Sequence, residues 1–248
     1  MAVWEALLEL ADDHLVLGHR ISEWCGHAPM LEEDLAMPNM GLDLIGTART
    51  LYDHAGKLEG KGRSEDDLAY LRDEREYRNC LLVERPNEDF AHTMLRQFYF
   101  AAFMRPYWLA ALNSTDETVR GVAGKAEKEM AYHIRHAGEW VIRLGDGTEE
   151  SAARMRDAVE ALHIYVDELF ESSDAARKAE AAGVLPVRGD LRDTWERTVS
   201  EVFAEALLEQ PKAAYAQRGG REGLHNETLG HLLAEMQVVH RAHPGARW

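Results

Sequence analysis

The chain has 248 residues, with 28 Lys and Arg against 44 Asp and Glu, a formal charge of −16 at pH 7. That acid excess excludes a broad nucleic-acid or anionic-membrane surface, and two cysteines, Cys25 and Cys80, make no disulfide framework. A chain of this length buries roughly 70–75% of its unfolded surface, so no metal or disulfide is needed to hold the core.

The N-terminus, MAVWEALLEL, has an early Glu and no basic run, so it does not read as a signal peptide. No uncharged run approaches ~18 residues, and a cytoplasmic location is expected. Trp4, Leu7, Leu8, Ala11, Leu15, Gly18, Ile21 and Cys25 mark one face of a first helix that stops at Gly26. Both cysteines lie among apolar helical residues and are expected as small buried side chains. After the link LEEDLAMPN, a second helix is expected with Pro38 in its first turn and a stripe of Gly41, Leu44, Ala48, Leu51, Tyr52 and Ala55. Glu59 to Gly62 breaks it. Ser64 then caps a third helical region running through LAYLRDEREYRNCLLV to Pro86.

From Asn87 to Asn113 aromatics and Met occur all round, which predicts a central helix, kinked at Pro106. Thr115 or Asp116 opens a helix of roughly 29 residues, about 43 Å, ending at Gly145. Thr148 caps the next, with Met155, Val159, Leu162, Val166 and Leu169 at heptad spacing. A short helix, DAARKAEAA, stops at Gly183. Leu191, Trp195, Val199, Val202 and Phe203 mark another, and Asn226 caps a last one carrying Leu229, Leu232, Leu233, Met236 and Val239. The PGARW tail docks or frays. No strand and no internal repeat is found. The architecture expected is a single all-α domain over residues 1–248, a four-helix bundle core with additional helices.

Bundles of this kind hold two irons with about four carboxylates and two imidazoles, two helices giving one Glu and two giving Glu-x-x-His. The i, i+3 spacing puts carboxylate and imidazole on one face, one turn apart. Between Ala126 and Trp140, Glu129, His133 and His136 form a strip at the edge of the core face, but Tyr132 stands three residues after Glu129. Glu160–His163 flanks a more peripheral helix, Glu222–His225 falls in a Gly-rich loop, and Asp89 before His92 suits a helix N-terminus. The central helix offers no acid from Phe90 to Thr115, only Gln97, aromatics and Met. In the second helix Asp43-Leu44-Ile45-Gly46 stands where Glu-x-x-His is wanted. A full ligand set cannot be assembled.

Four long stretches carry a family resemblance: LGHRISEWCGHAPMLEEDLAMPNMGLDLIGTAR, LRDEREYRNCLLVERPNEDFAHT, KEMAYHIRHAGEWVIRLGDGTEES and GGREGLHNETLGHLLAEMQ. Together they resemble, almost end to end, the C subunits of ring-1,2-phenylacetyl-CoA epoxidases. The resemblance implies a ferritin-like fold and a place in a bacterial monooxygenase that epoxidises the ring of phenylacetyl-CoA in aerobic phenylacetate breakdown. It implies no catalytic residues and no cofactor in this chain. The di-iron centre belongs to a related catalytic A subunit, with other subunits and an NADPH-fed reductase completing the complex. Glu23, Asp43, Glu129 and His133 are then remnants of the bundle's polar centre. CoA contacts are implied on Glu76, Tyr77, Arg78 and Asn79, and on Arg177, Lys178 and Ala179; read from composition alone, both segments are solvated charged faces. Two other readings compete: a di-iron or di-manganese oxidase in its own right, using Glu23, Asp43, Glu129, His133 and His136, and a generic helical binding module.

Overall fold

The computed structural model describes residues 3–211 and 215–246. Its helices are α1 (Val3–Ser22), α2 (Leu31–Glu59), α3 (Glu65–Tyr70), α4 (Leu81–Glu84), α5 (Phe90–Ala111), α6 (Glu117–Gly145), α7 (Glu149–His163), α8 (Asp174–Ala181), α9 (Arg192–Glu205) and α10 (Glu227–Ala242). No strand occurs among the described residues. The fold is all-α and ferritin-like, with α1, α2, α5 and α6 as the core bundle. None of the described helices is long and apolar enough to cross a membrane. Of the expected C-terminal tail, Arg247 and Trp248 lie outside the described residues.

α1 and α2 pack at close range through a pair of glycines on the predicted stripes. A Cβ on Gly18 would stand 3.2 Å from the Gly41 carbonyl oxygen, and one on Gly41 would stand 2.6 Å from Ser22 Oγ. The remaining helices wrap this bundle unevenly. α4 and α8 lie against α1, α7 and α9 against α5, and α3 against α2. α1 and α5 are therefore buried almost all round, whereas the first half of α2 keeps an open side.

Several boundaries depart from the sequence reading. α2 begins at Leu31, so Pro38 sits in the helix interior rather than in its first turn. The stretch from Leu68 to Val83 is not one helix: only its two ends are helical, in α3 and α4. After α3 a single 3₁₀ turn at Glu74–Glu76 leads into extended backbone at Tyr77 and Cys80. Buried carboxylates hold it there: Asp12 accepts from the Arg78 N–H (2.7 Å), Asp13 from Cys80 (2.7 Å) and Glu168 from Leu81 (2.7 Å). Tertiary acceptors thus replace the helical ones. α7 stops at His163, so Val166 and Leu169 pack from a 3₁₀ segment instead of continuing a heptad. Cys25 is exposed, because it lies in the turn after α1 rather than on it; Cys80 is buried as expected. Asn226 occupies the N-cap of α10 but its side chain donates to Glu84 instead (3.2 Å). Ser64, Asp89, Asp116 and Thr148 cap their helices with side-chain oxygens.

Two histidines on α1 are shielded from water. Burial pushes the His14 imidazole down to about 4, against the pull of its bond to the Leu10 carbonyl (2.7 Å), and burial alone brings His19 to about 4. Both lie below their unfolded value of 6.5, so the unfolded chain binds more protons between these limits. Stability is fully present above pH 6.5 and is lost as pH falls toward 4, by about 1.4 kcal/mol per unit for each group. Urea midpoints measured from pH 7 to 5 are expected to fall on this slope. The double variant His14→Gln/His19→Gln is expected to flatten it; an unchanged slope would refute the assignment.

Candidate functional site

Between α2, α5 and α6 a chain of polar side chains runs from buried Gln97 and His133 through Asp43 and Glu129 to Lys125 at the surface. α2 supplies Asp43, α5 supplies Gln97, and α6 supplies Lys125, Glu129 and His133. The fully buried His133 donates through Nε2 to Asp43 Oδ2 (3.2 Å) and accepts at Nδ1 from Gln97 Nε2 (3.0 Å), so both ring nitrogens are engaged. The Asp43 and Glu129 carboxyls interact, and Lys125 Nζ lies 2.7 Å from Glu129 Oε1. Burial raises both carboxyls. At Asp43 the hydrogen bond from His133, with the Lys125 charge nearby, outweighs burial and holds it below the ordinary range. At Glu129 burial, reinforced by the Asp43 charge, outweighs Lys125 and holds it above. A proton entering the pair goes to Glu129 first.

This set does not fit two irons. Two carboxylates, one imidazole, an amide and an ammonium stand where about four carboxylates and two imidazoles are needed. A Cβ on Gly46 would lie 3.8 Å from Lys125 Nζ, so the ammonium fills the space beside the position that Glu-x-x-His would assign to imidazole. No group of three or more His, Cys, Asp or Glu among the described residues is gathered so as to hold a metal. His136 faces away, 2.9 Å from Glu33 Oε2 without the alignment of a hydrogen bond. Glu23 does not join this set. It follows α1 and binds Arg20 (2.8 Å) and Asn87 (2.8 Å). Glu160–His163 opens onto a separate surface hollow, and His225 is held by Glu84 (2.7 Å) and the Tyr77 carbonyl (3.1 Å).

A second locus lies on the other side of α1. A cleft of about 360 Å³ opens between the start of α1, the segment at Glu76 and Arg78, and the beginning of α8 at Ser173–Ala175. Arg63, Arg72, Arg78 and Arg221 line it, facing Glu5, Glu9, Glu76 and Asp174. Arg72 is locked to Asp12 (Nη1 to Oδ2, 3.0 Å), and Arg221 to Asp13 (2.9 and 2.8 Å). Two buried atoms remain without protein partners, Glu9 Oε2 and Arg221 Nε. Burial holds the Glu9 carboxyl above its usual range despite Arg221 and Arg188 nearby.

Of the expected CoA contacts, Glu76 and Arg78 border this cleft. Tyr77 and Asn79 do not: both are buried, Tyr77 donating to the Ala69 carbonyl and Asn79 to Glu84 (2.9 Å). Arg177 and Lys178 are exposed further along α8, Arg177 pairing with Asp174, and Ala179 is buried. The structure therefore brings the two segments to one opening, through Ser173–Ala175 rather than through residues 177–179. Arg63, Arg72, Arg221 and Glu9 were missed in the sequence. The available signal was the run of adjacent acids, Glu9, Asp12 and Asp13, within an otherwise apolar helix.

A family model described as phenylacetic acid catabolic protein matches residues 1–248. A relative from Escherichia coli (strain K12), the C subunit of 1,2-phenylacetyl-CoA epoxidase, is 42% identical over 241 residues, covering 97% of each chain.

Proposed function

The chain belongs to the phenylacetic acid catabolic protein family, and from that membership we propose that it is the structural subunit of a cytoplasmic monooxygenase that epoxidises the ring of phenylacetyl-CoA. In this reading residues 1–248 form one helical domain without metal, pairing with a di-iron catalytic A subunit beside further subunits and a reductase. The observation that carries it is the polar chain of Gln97, His133, Asp43, Glu129 and Lys125, which offers two carboxylates and one imidazole where a di-iron centre needs about four and two. His133 is held by Asp43 and Gln97, and the Lys125 ammonium lies against Glu129, which leaves Gln97 Oε1 and Glu129 Oε2 as the buried oxygens of the set without a partner.

The work left to this chain is positioning. Its bundle presents a rigid helical face to a related bundle, and its arginine cleft receives the polar arm of the acyl-CoA. Arg78 suits phosphate oxygens as a charged donor, whereas the fork of Arg63 is taken by Glu59 (2.7 and 2.6 Å), and Arg221 Nε and Glu9 Oε2 are free to meet polar groups of the ligand. Arg177 and Lys178, one turn beyond the cleft on α8, extend the same basic approach. The competing reading, an oxidase active alone, is favoured by one observation: Asp43, Glu129 and His133 do meet.

Metal analysis of the chain expressed alone in iron- and manganese-supplemented medium separates the two. The structural reading expects well under one atom per chain; close to two per chain would overturn it. In the reconstituted complex, Arg78→Ala is expected to raise KM for phenylacetyl-CoA about tenfold with kcat kept, as loss of one charge-assisted contact would. An unchanged KM would remove the cleft from substrate binding.

A further inference from the structure

The first half of α2 leaves an apolar seam in water. Leu31 is 70% exposed, Leu35 60% and Leu42 66%, with Met30 at 45% just before the helix. They fall at i, i+4 and i+11 on one side of α2, with the partly covered Pro38 between them at i+7. This is the spacing of a seam that packs against another helix, about 17 Å long from Leu31 to Leu42. Isolated exposed leucines are ordinary on a surface, but an aligned row of three is not. α1 is covered by α4 and α8, and α5 by α7 and α9, while the open face of α6 carries charged residues such as Lys128, Arg135 and Glu139. Tyr132, exposed on α6 and tilted against His136, adds an aromatic on the α6 side.

The seam has electrical polarity. Exposed Glu32 lies at its start, and Arg49 and Lys125 stand exposed at its far end. A long helix laid antiparallel, itself acidic at its start and basic at its end, would set base against Glu32 and acid against Arg49 and Lys125. A second copy of this chain has such a helix but would bring together two bodies of charge −16. We propose that the seam of Leu31, Leu35 and Leu42 is the surface on which the related bundle of the complex docks, through one long antiparallel helix. This rests on the structural-subunit reading and gives that reading a surface. Docking there also covers the side from which water reaches Asp43, whose side chain is 34% exposed.

The test uses the full chain and the di-iron family member purified as its partner, with titration calorimetry and gel filtration. Leu35→Arg/Leu42→Arg alters only exposed side chains, and Leu31→Glu is a second, independent variant; thermal melts establish that both remain folded. Each is expected to weaken the complex at least a hundredfold, while Val238→Arg, on the exposed side of α10, leaves it unchanged. If the unsubstituted chain binds and both seam variants bind equally well, the surface is wrong and the subunit reading stands. If the unsubstituted chain does not bind the partner at all, the subunit reading fails and the seam with it. A homodimer of this chain that the same substitutions dissolve would overturn the choice of occupant.

Discussion

Replacing Asp12 by Ala is expected to cost about 3–5 kcal/mol of stability, which for a chain of this size lowers the thermal midpoint by roughly 10 °C. Asp12 is fully buried in α1 and sits at the hub of a polar cluster. Its carboxylate accepts from Tyr52 OH (2.5 Å), from both terminal nitrogens of Arg72 and from the Arg78 N–H (2.7 Å). Burial alone would lower the Arg72 guanidinium, but Asp12 more than compensates and holds it above its ordinary value. Burial, reinforced by the Asp12 charge, holds Tyr52 in its neutral form. Removal of the carboxylate strands a buried cation, which costs far more than the pair itself contributes. The double variant Asp12→Leu/Arg72→Met is therefore expected to recover much of the loss, the sign of a strongly coupled pair. Denaturant unfolding decides it: a single-variant loss under about 1 kcal/mol would mean that water reaches Arg72.

Glu168→Ala is expected to be nearly as damaging, at about 3 kcal/mol or more, although Glu168 touches no cation directly. Its two carboxylate oxygens accept backbone N–H groups from Leu81 (2.7 Å), Gly219 (3.0 Å) and Arg221 (3.3 Å). Each donor left unpaired inside the protein costs about 1–3 kcal/mol. The loop is docked so closely that a Cβ on Gly220 would stand 2.1 Å from the Asn79 carbonyl oxygen. Glu168→Gln keeps acceptor capacity and is expected to lose less. Amide exchange at Leu81, Gly219 and Arg221 reports the effect directly, and protection equal to that of the parent chain would refute it.

The parts of the fold legible in the sequence were those governed by period and cap. The all-round apolar run from Phe90 and the caps at Ser64, Asp116 and Thr148 placed their helices well, because local chemistry decides those starts. The region from Leu68 to Val83 was illegible for the opposite reason. Its backbone donors are satisfied by Asp12, Asp13 and Glu168, which lie far away in sequence, and no local pattern announces them. The same acids explain the miss at the cleft. Glu9, Asp12 and Asp13 share one face of α1, and only the packing of α4 and α8 over α1 turns that face inward. At the bundle centre the absence of a side chain at Gly46 was legible in the sequence, since it holds in any conformation. Lys125 was invisible there: an exposed-looking lysine at i−4 from Glu129 is the commonest kind of helical pair, and only the gap left by Gly46 gives it a second role.

Asp13 and Arg221 are separated by most of the chain, and that distance has a consequence for the order of synthesis. A ribosome delivers α1 about 200 residues before Arg221. Until Arg221 emerges, Asp13 lacks the cation that locks it, and the backbone of Cys80 is held only by an unneutralised acid. The nascent bundle therefore stays open on that side while α2, α5 and α6 are already able to pack. Contacts this remote slow folding, because the intervening chain must be closed before they repay its lost freedom. A chain cut before residue 221 keeps all four core helices, yet it leaves the charge of α1 without its lock.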